Sequence, residues 1–208
     1  MPGPMLQTDA LVLARRLPAE SFQTLTVFCA THGVLTVLQR VPKKPSPRHL
    51  SLDLFDEASL RLETSATGGP WFVHEARLLV RLKGIGRDYE TLRHASALAT
   101  LVTRNPVAAE SRPRVAALLR EAFAAFAADA SPAPVYFKSL WRFARDEGHP
   151  LRQQWLPSLS ADLRAEAEHL LRTPLAELAA EKSSAAQAEA LTRRLENYLA
   201  AHTEIRVD

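Results

Sequence analysis

The sequence predicts an α+β chain, with a strand-rich region over residues 1–80 followed by an all-helical region over 81–208. Before residue 80 the apolar residues alternate or come in short bounded runs, as half-buried strands do. After Gly84 and Gly86 they recur every three or four positions, as amphipathic helices do. A length of 208 residues is enough for one medium domain or two small ones, with apolar residues to spare for a core.

In chain order, the runs at 10–13, 24–28 and 34–41 are rich in β-branched and aromatic residues, and Pro18 and Thr31-His32-Gly33 separate them. Leu50, Leu52 and Leu54 alternate with Ser51 and Asp53, and Leu60 and Leu62 alternate with Ser59, Arg61 and Glu63. Each of these stretches is expected as a strand with one dry face. Thr67-Gly68-Gly69-Pro70 marks a turn before Trp71-Phe72-Val73. About five strands in roughly 75 residues suit a small antiparallel barrel of the oligonucleotide/oligosaccharide-binding type, the OB-fold.

The helical stripes follow. Leu92, Ala95, Leu98, Ala99 and Val102 form one, and Val115, Leu118, Leu119, Ala122, Phe123 and Phe126 form the next. Asn105-Pro106 and Ser131-Pro132 separate the helices. A third helix runs through Phe137, Leu140, Trp141 and Ala144 and stops near Gly148-His149-Pro150, and 163–171 and 188–201 supply at least two more.

Composition narrows the class. With 47% hydrophobic and 24% charged residues, the chain matches neither disordered nor fibrous proteins. The single cysteine, Cys29, excludes an intramolecular disulfide and the usual multi-thiolate zinc site, and as a small residue in an apolar run it is expected to be buried. No stretch reaches the roughly 18 apolar residues of a membrane span, and a cytoplasmic protein is expected.

The net charge of +3 conceals a gradient. Up to Arg87 there are 11 Lys/Arg against 7 Asp/Glu, or +4; from Asp88 to Pro150, 8 against 7, or +1; from Leu151 onward, 7 against 9, or −2. No acidic residue falls between Glu20 and Asp53, whereas Arg40, Lys43, Lys44 and Arg48 cluster there. Such a block attracts polyanions. Pro42, Pro45 and Pro47 stiffen it, and Arg15 and Arg16 at the end of the first run extend the candidate polyanion-binding patch.

Catalytic motifs fail on inspection. His74-Glu75 has Leu78 where a metalloprotease helix needs its second histidine. Gly84-Ile85-Gly86 lacks the third glycine of a dinucleotide loop, Tyr89 standing in its place, and is expected as a hinge. Glu166-x-x-His169 has no second copy to complete a di-iron site. No enzymatic activity, cofactor or metal is expected.

The order of residues resembles the RecO family of bacterial recombination mediators. The resemblance is carried by 8–13 (Thr8-Asp9-Ala10-Leu11-Val12-Leu13), Glu20-Ser21, the run from Leu25 through Phe28-Cys29-Ala30-Thr31-His32-Gly33 to Val37, and Lys43-Lys44 with Ser46 and Arg48. It continues through the helices to Tyr198-x-x-x-His202 and so covers nearly the whole chain. Leu38-Gln39-Arg40-Val41-Pro42-Lys43 lacks the family's frequent glycine. Residues 150–159 hold no cysteine, so the four-cysteine zinc module of many members is missing, and packing of Trp155 and Leu156 is expected to take over its bracing role.

The resemblance implies a DNA-repair role: binding single- and double-stranded DNA, annealing strands, and working with RecR and the single-stranded-DNA-binding protein SSB to load RecA. It also implies a nucleoid-associated location. Phe137, Trp141, Arg142, Arg145 and Arg152 are the candidate surface for a partner's acidic tail. The alternative is an OB-fold RNA-binding or ribosome-associated factor, which the same charges would serve, because only contacts to the 2′-hydroxyl separate the two.

Overall fold

A computed structural model describes residues 3–19, 21–42, 50–64, 69–128, 131–178 and 185–207. The chain divides into two compact units, Met1–Arg81 and Leu82–Asp208, the first a five-stranded sheet and the second helical.

The strands of the first unit are β1 (Met5–Arg15), β2 (Phe22–Cys29), β3 (Gly33–Arg40), β4 (Glu57–Glu63) and β5 (Trp71–Val80). β1 pairs antiparallel with β2 and with β4, β2 with β3, and β4 with β5. A short parallel pairing of β3 with β5, Val37 to Trp71 and Leu38 to Phe72, closes the order β1-β2-β3-β5-β4 on itself. The sequence pattern suggested a wholly antiparallel sheet, and the β3–β5 pairing corrects this. Closure leaves no long edge open to foreign strands. Val12, Leu25, Val27, Cys29, Val37, Leu60 and Leu62 fill the interior. Gly33, at φ 72°, makes the tight return from β2 to β3, where a side chain would be strained.

Residues 50–54 are not a strand, although their alternation is real: Leu52 is buried while Ser51 and Asp53 are exposed. The buried side chain of Gln39 substitutes for a strand partner, donating to Leu50 O at 2.8 Å and accepting from the Leu52 N–H at 3.2 Å. Further on, the Phe55 N–H donates to Val12 O and the Val12 N–H to Asp56 O, both at 2.9 Å, which holds Phe55 at φ 66° with its ring buried. The Asp56 carboxylate, 1% exposed, accepts from Arg81 Nε at 3.0 Å, from Arg81 Nη2 at 2.6 Å and from the Asp53 N–H at 2.8 Å.

The second unit opens with a 3-10 turn, Lys83–Gly86. It continues with α1 (Tyr89–Arg104), α2 (Arg112–Ala127), α3 (Pro132–Asp146), α4 (Leu151–Gln154), α5 (Ala161–Arg172), α6 (Leu175–Leu178) and α7 (Ala185–His202). Asp88 caps α1 by accepting from the Thr91 N–H at 2.8 Å and the Thr91 hydroxyl at 2.7 Å. α3 is the centre: its residues 133–141, 143 and 144 are buried, against α1, α2 and α7. Gly84 lies so close to the end of α2 that a β-carbon there would overlap the Ala127 carbonyl, which explains a glycine at that place. Between α4 and α5 the indole of Trp155 sits 5.5 Å from Trp141 and 6.2 Å from Phe137, and its N–H reaches Arg194 O at 3.4 Å. That segment, with Leu156 also buried, is held by packing.

Candidate nucleic-acid interface

β2 and β3 carry a single charged residue, Arg40, whereas Asp9, Glu57, Glu63 and Glu75 all sit on β1, β4 and β5. The outer wall of β2 and β3 is therefore the part of the sheet that least repels a polyanion. Alternation places Phe22 and Thr24 of β2, and Leu38 and Arg40 of β3, outward, opposite in parity to the buried Leu25, Val27 and Val37. Register then makes neighbours of them: Phe22 faces Arg40, Thr24 faces Leu38, and Leu38 faces Phe72 of β5. The rings of Phe22 and Phe72, 37% and 39% exposed, meet edge to face with centroids 5.6 Å apart. Exposed aromatic faces beside an arginine are what base stacking and phosphate contact require.

Arg16 joins this wall, because its N–H donates to Thr24 O at 3.0 Å and so continues the β1–β2 register. Leu17 beside it is 90% exposed. Arg15 does not join. Its guanidinium is turned to Asp53, at 2.7 Å. Partial burial pulls the Asp53 carboxyl up, but the Leu54 N–H and Arg15 outweigh it and leave the group below the usual carboxylate range. Lys43, Lys44 and Arg48 lie outside the described residues.

The aromatic pair was missed in the sequence. Phe22 carries a signal, since it shares the parity of Thr24 and Thr26 rather than that of Leu25 and Val27. Phe72 carries none, because Trp71 and Val73 on either side are equally apolar.

In the helical unit the candidate partner surface is partly core. Phe137 and Trp141 are 0% and 3% exposed and pack on Trp155, so neither lines an open groove. Arg142 is bonded to Glu121, and Arg145 to Asp146 at 2.7 Å; Arg152 is exposed on α4.

Glu90, His94 and Glu189 bring potential ligand atoms within 4.8 Å of one another, a cluster that spacing could not show. Arg93 already occupies the position of a cation, 2.6 Å from Glu90 and 3.6 Å from Glu189. The His94 imidazole is buried, bonds Glu90 O through Nδ1 at 2.8 Å, and is held below its usual pKa by that burial. A metal would have to displace Arg93 and win against its charge.

The sequence matches no protein-family model and no curated protein. Among the described residues no helix is long and apolar enough to cross a membrane.

Proposed function

We propose that the first unit is an OB-fold barrel that binds single-stranded DNA along the outer wall of β2, β3 and β5. In this reading the chain acts without catalysis as a recombination mediator of the RecO type, annealing strands and, with RecR and SSB, helping to load RecA. The observation that carries the DNA reading is the exposed Phe22–Phe72 pair, with Arg40 opposite Phe22, on a wall whose β2 and β3 hold no acidic residue. Stacking rings favour unpaired bases, and cations without a base-reading element favour any sequence. The mediator role rests on the sequence resemblance.

Salt dependence of binding to a mixed-sequence oligonucleotide, read by fluorescence anisotropy, tests the DNA reading. Neutralising about four phosphates gives a log–log slope near −3 for single strands. The folded triple variant K43A/K44A/R48A should bind more weakly with a shallower slope. A flat salt response, or tight binding confined to one short sequence, refutes the reading, and preference for RNA of the same sequence moves the function to RNA. Capture of RecR and SSB from nuclease-treated lysate tests the partners.

A further inference from the structure

The two exposed rings of the outer wall reach each other across β3. Phe22 of β2 is registered opposite Arg40 of β3, and Phe72 of β5 opposite Leu38, two residues earlier on the same strand. Each backbone is also held on its other side. Phe22 exchanges hydrogen bonds with Ala19 at 2.9 and 3.1 Å, and Phe72 is registered against Glu63 of β4. Both residues are more than half buried, so the sheet fixes where the rings stand.

The rings meet edge to face, with planes 72° apart and centroids 5.6 Å apart. Consecutive bases of a stacked strand lie parallel, about 3.4 Å apart. A base laid on each ring takes the plane of that ring, so two neighbouring bases held by this pair are turned steeply to one another and lose their mutual contact. Binding here therefore opens the strand's own stack, and the work of opening it depends on the bases. Adenines stack on one another strongly and pyrimidines weakly, which makes an adenine run the harder one to splay. Leu38, opposite Phe72 and diagonal to Phe22, offers no hydrogen-bonding group to read a base edge.

We infer that this wall selects single strands by how weakly their bases stack on one another, taking pyrimidine runs over adenine runs without recognising either base. The inference deepens the DNA reading and rests on it.

Fluorescence anisotropy of the full chain with labelled oligo(dT), oligo(dC) and oligo(dA) of about 16 nucleotides tests it, because strands of equal length carry equal charge and differ only in their bases. Oligo(dT) should bind about three- to tenfold more tightly than oligo(dA), and oligo(dC) should side with oligo(dT), since stacking and not the thymine groups is the cause. The circular-dichroism band of stacked adenines should shrink as oligo(dA) is saturated. Phe72→Ala should bring the oligo(dT)-to-oligo(dA) ratio toward one by weakening oligo(dT) the more. Should that variant unfold, Phe72→Leu keeps the apolar bulk and removes the flat platform. Equal affinity for oligo(dT) and oligo(dA), oligo(dC) siding with oligo(dA), an adenine band that survives saturation, or a preference unchanged in the folded variant overturns the inference. The same variant separates this failure from failure of the DNA reading: weakened oligo(dT) binding leaves stacking on the pair in place and removes only the selection, whereas unweakened oligo(dT) binding removes both.

Discussion

Replacing Phe22 and Phe72 by alanine, singly and together, separates stacking from charge on the outer wall. Both rings are about two-fifths exposed and meet edge to face, so each keeps exposed surface that a base could cover. Loss of one aromatic platform typically weakens single-strand binding by about 1–3 kcal/mol per stacked base, or roughly 5- to 150-fold. Because the rings are in contact, removing the first also loosens the second. The double variant should therefore lose less than the sum of the singles, by about 0.5–1.5 kcal/mol. No charge is removed, so the salt slope should stay as in the unsubstituted protein while the whole line shifts to weaker binding. The loss in folding stability should stay near 1–2 kcal/mol, since neither ring is in the core. Anisotropy with labelled oligothymidine, with duplex of equal length as control and urea unfolding for stability, reads all three quantities. Unchanged single-strand affinity in the folded double variant, or an equal loss for duplex, refutes stacking on this pair.

Gly84→Ala should lower the melting temperature sharply, because its methyl group meets the Ala127 carbonyl, whereas Gly86→Ala, with open space around it, should be tolerated; thermal unfolding of the pair decides. Arg81→Met leaves the buried Asp56 carboxylate with only a backbone donor and should cost about 2–4 kcal/mol in urea unfolding, with part recovered in Asp56→Asn/Arg81→Met; a loss under about 0.5 kcal/mol would mean the pair is not structural. His94 resists protonation in the folded state, through burial and the neighbouring Arg93, while the unfolded chain takes the proton near pH 6.5. Stability should therefore fall as pH drops below about 6.5, and His94→Gln should remove that part of the slope. Glu196, raised by burial, acts with the opposite sign, losing its contribution as pH rises through its window, so the comparison must be between the two proteins at each pH.

The periodic parts of the fold were legible because burial repeats along the chain. Leu60 and Leu62, or Val115, Leu118, Leu119 and Ala122, signal the same face several times over. Residues 50–54 misled because alternation reports which side chains are buried, not which backbone they bond, and Gln39 serves the backbone there. The parallel contact of β3 with β5 joins residues far apart in sequence and has no local signature. α4 and α6, at four residues each, are too short to show a period. For Phe137 and Trp141 the signal was present but misapplied: α3 is buried nearly all round, the mark of a central helix, so rings on it belong to the core.

The candidate wall was less legible than the fold because a single irregularity in β1 decides which arginine reaches it. Counting strictly from the buried Val12, alternation sends Arg15 outward and Arg16 inward. The register instead shifts between Val12 and Ala14: Val12 faces Val27, Ala14 faces Thr26, and Arg15 faces the buried Leu25. One extra residue in the strand turns Arg15 toward Asp53 and brings Arg16 to the level of Thr24 on the outer wall. Adjacent arginines thus have different surroundings, and under the proposed function exchange of each for alanine should have different effects. Arg16→Ala should weaken single-strand binding and reduce the salt slope by about 0.7, one phosphate contact's worth, with stability unchanged. Arg15→Ala should leave DNA affinity and slope in place and cost at most about 1 kcal/mol in urea unfolding, as expected for a partly exposed ion pair. Equal loss of DNA affinity in both variants would mean that the bulge does not sort the two side chains and that the wall extends around to Asp53.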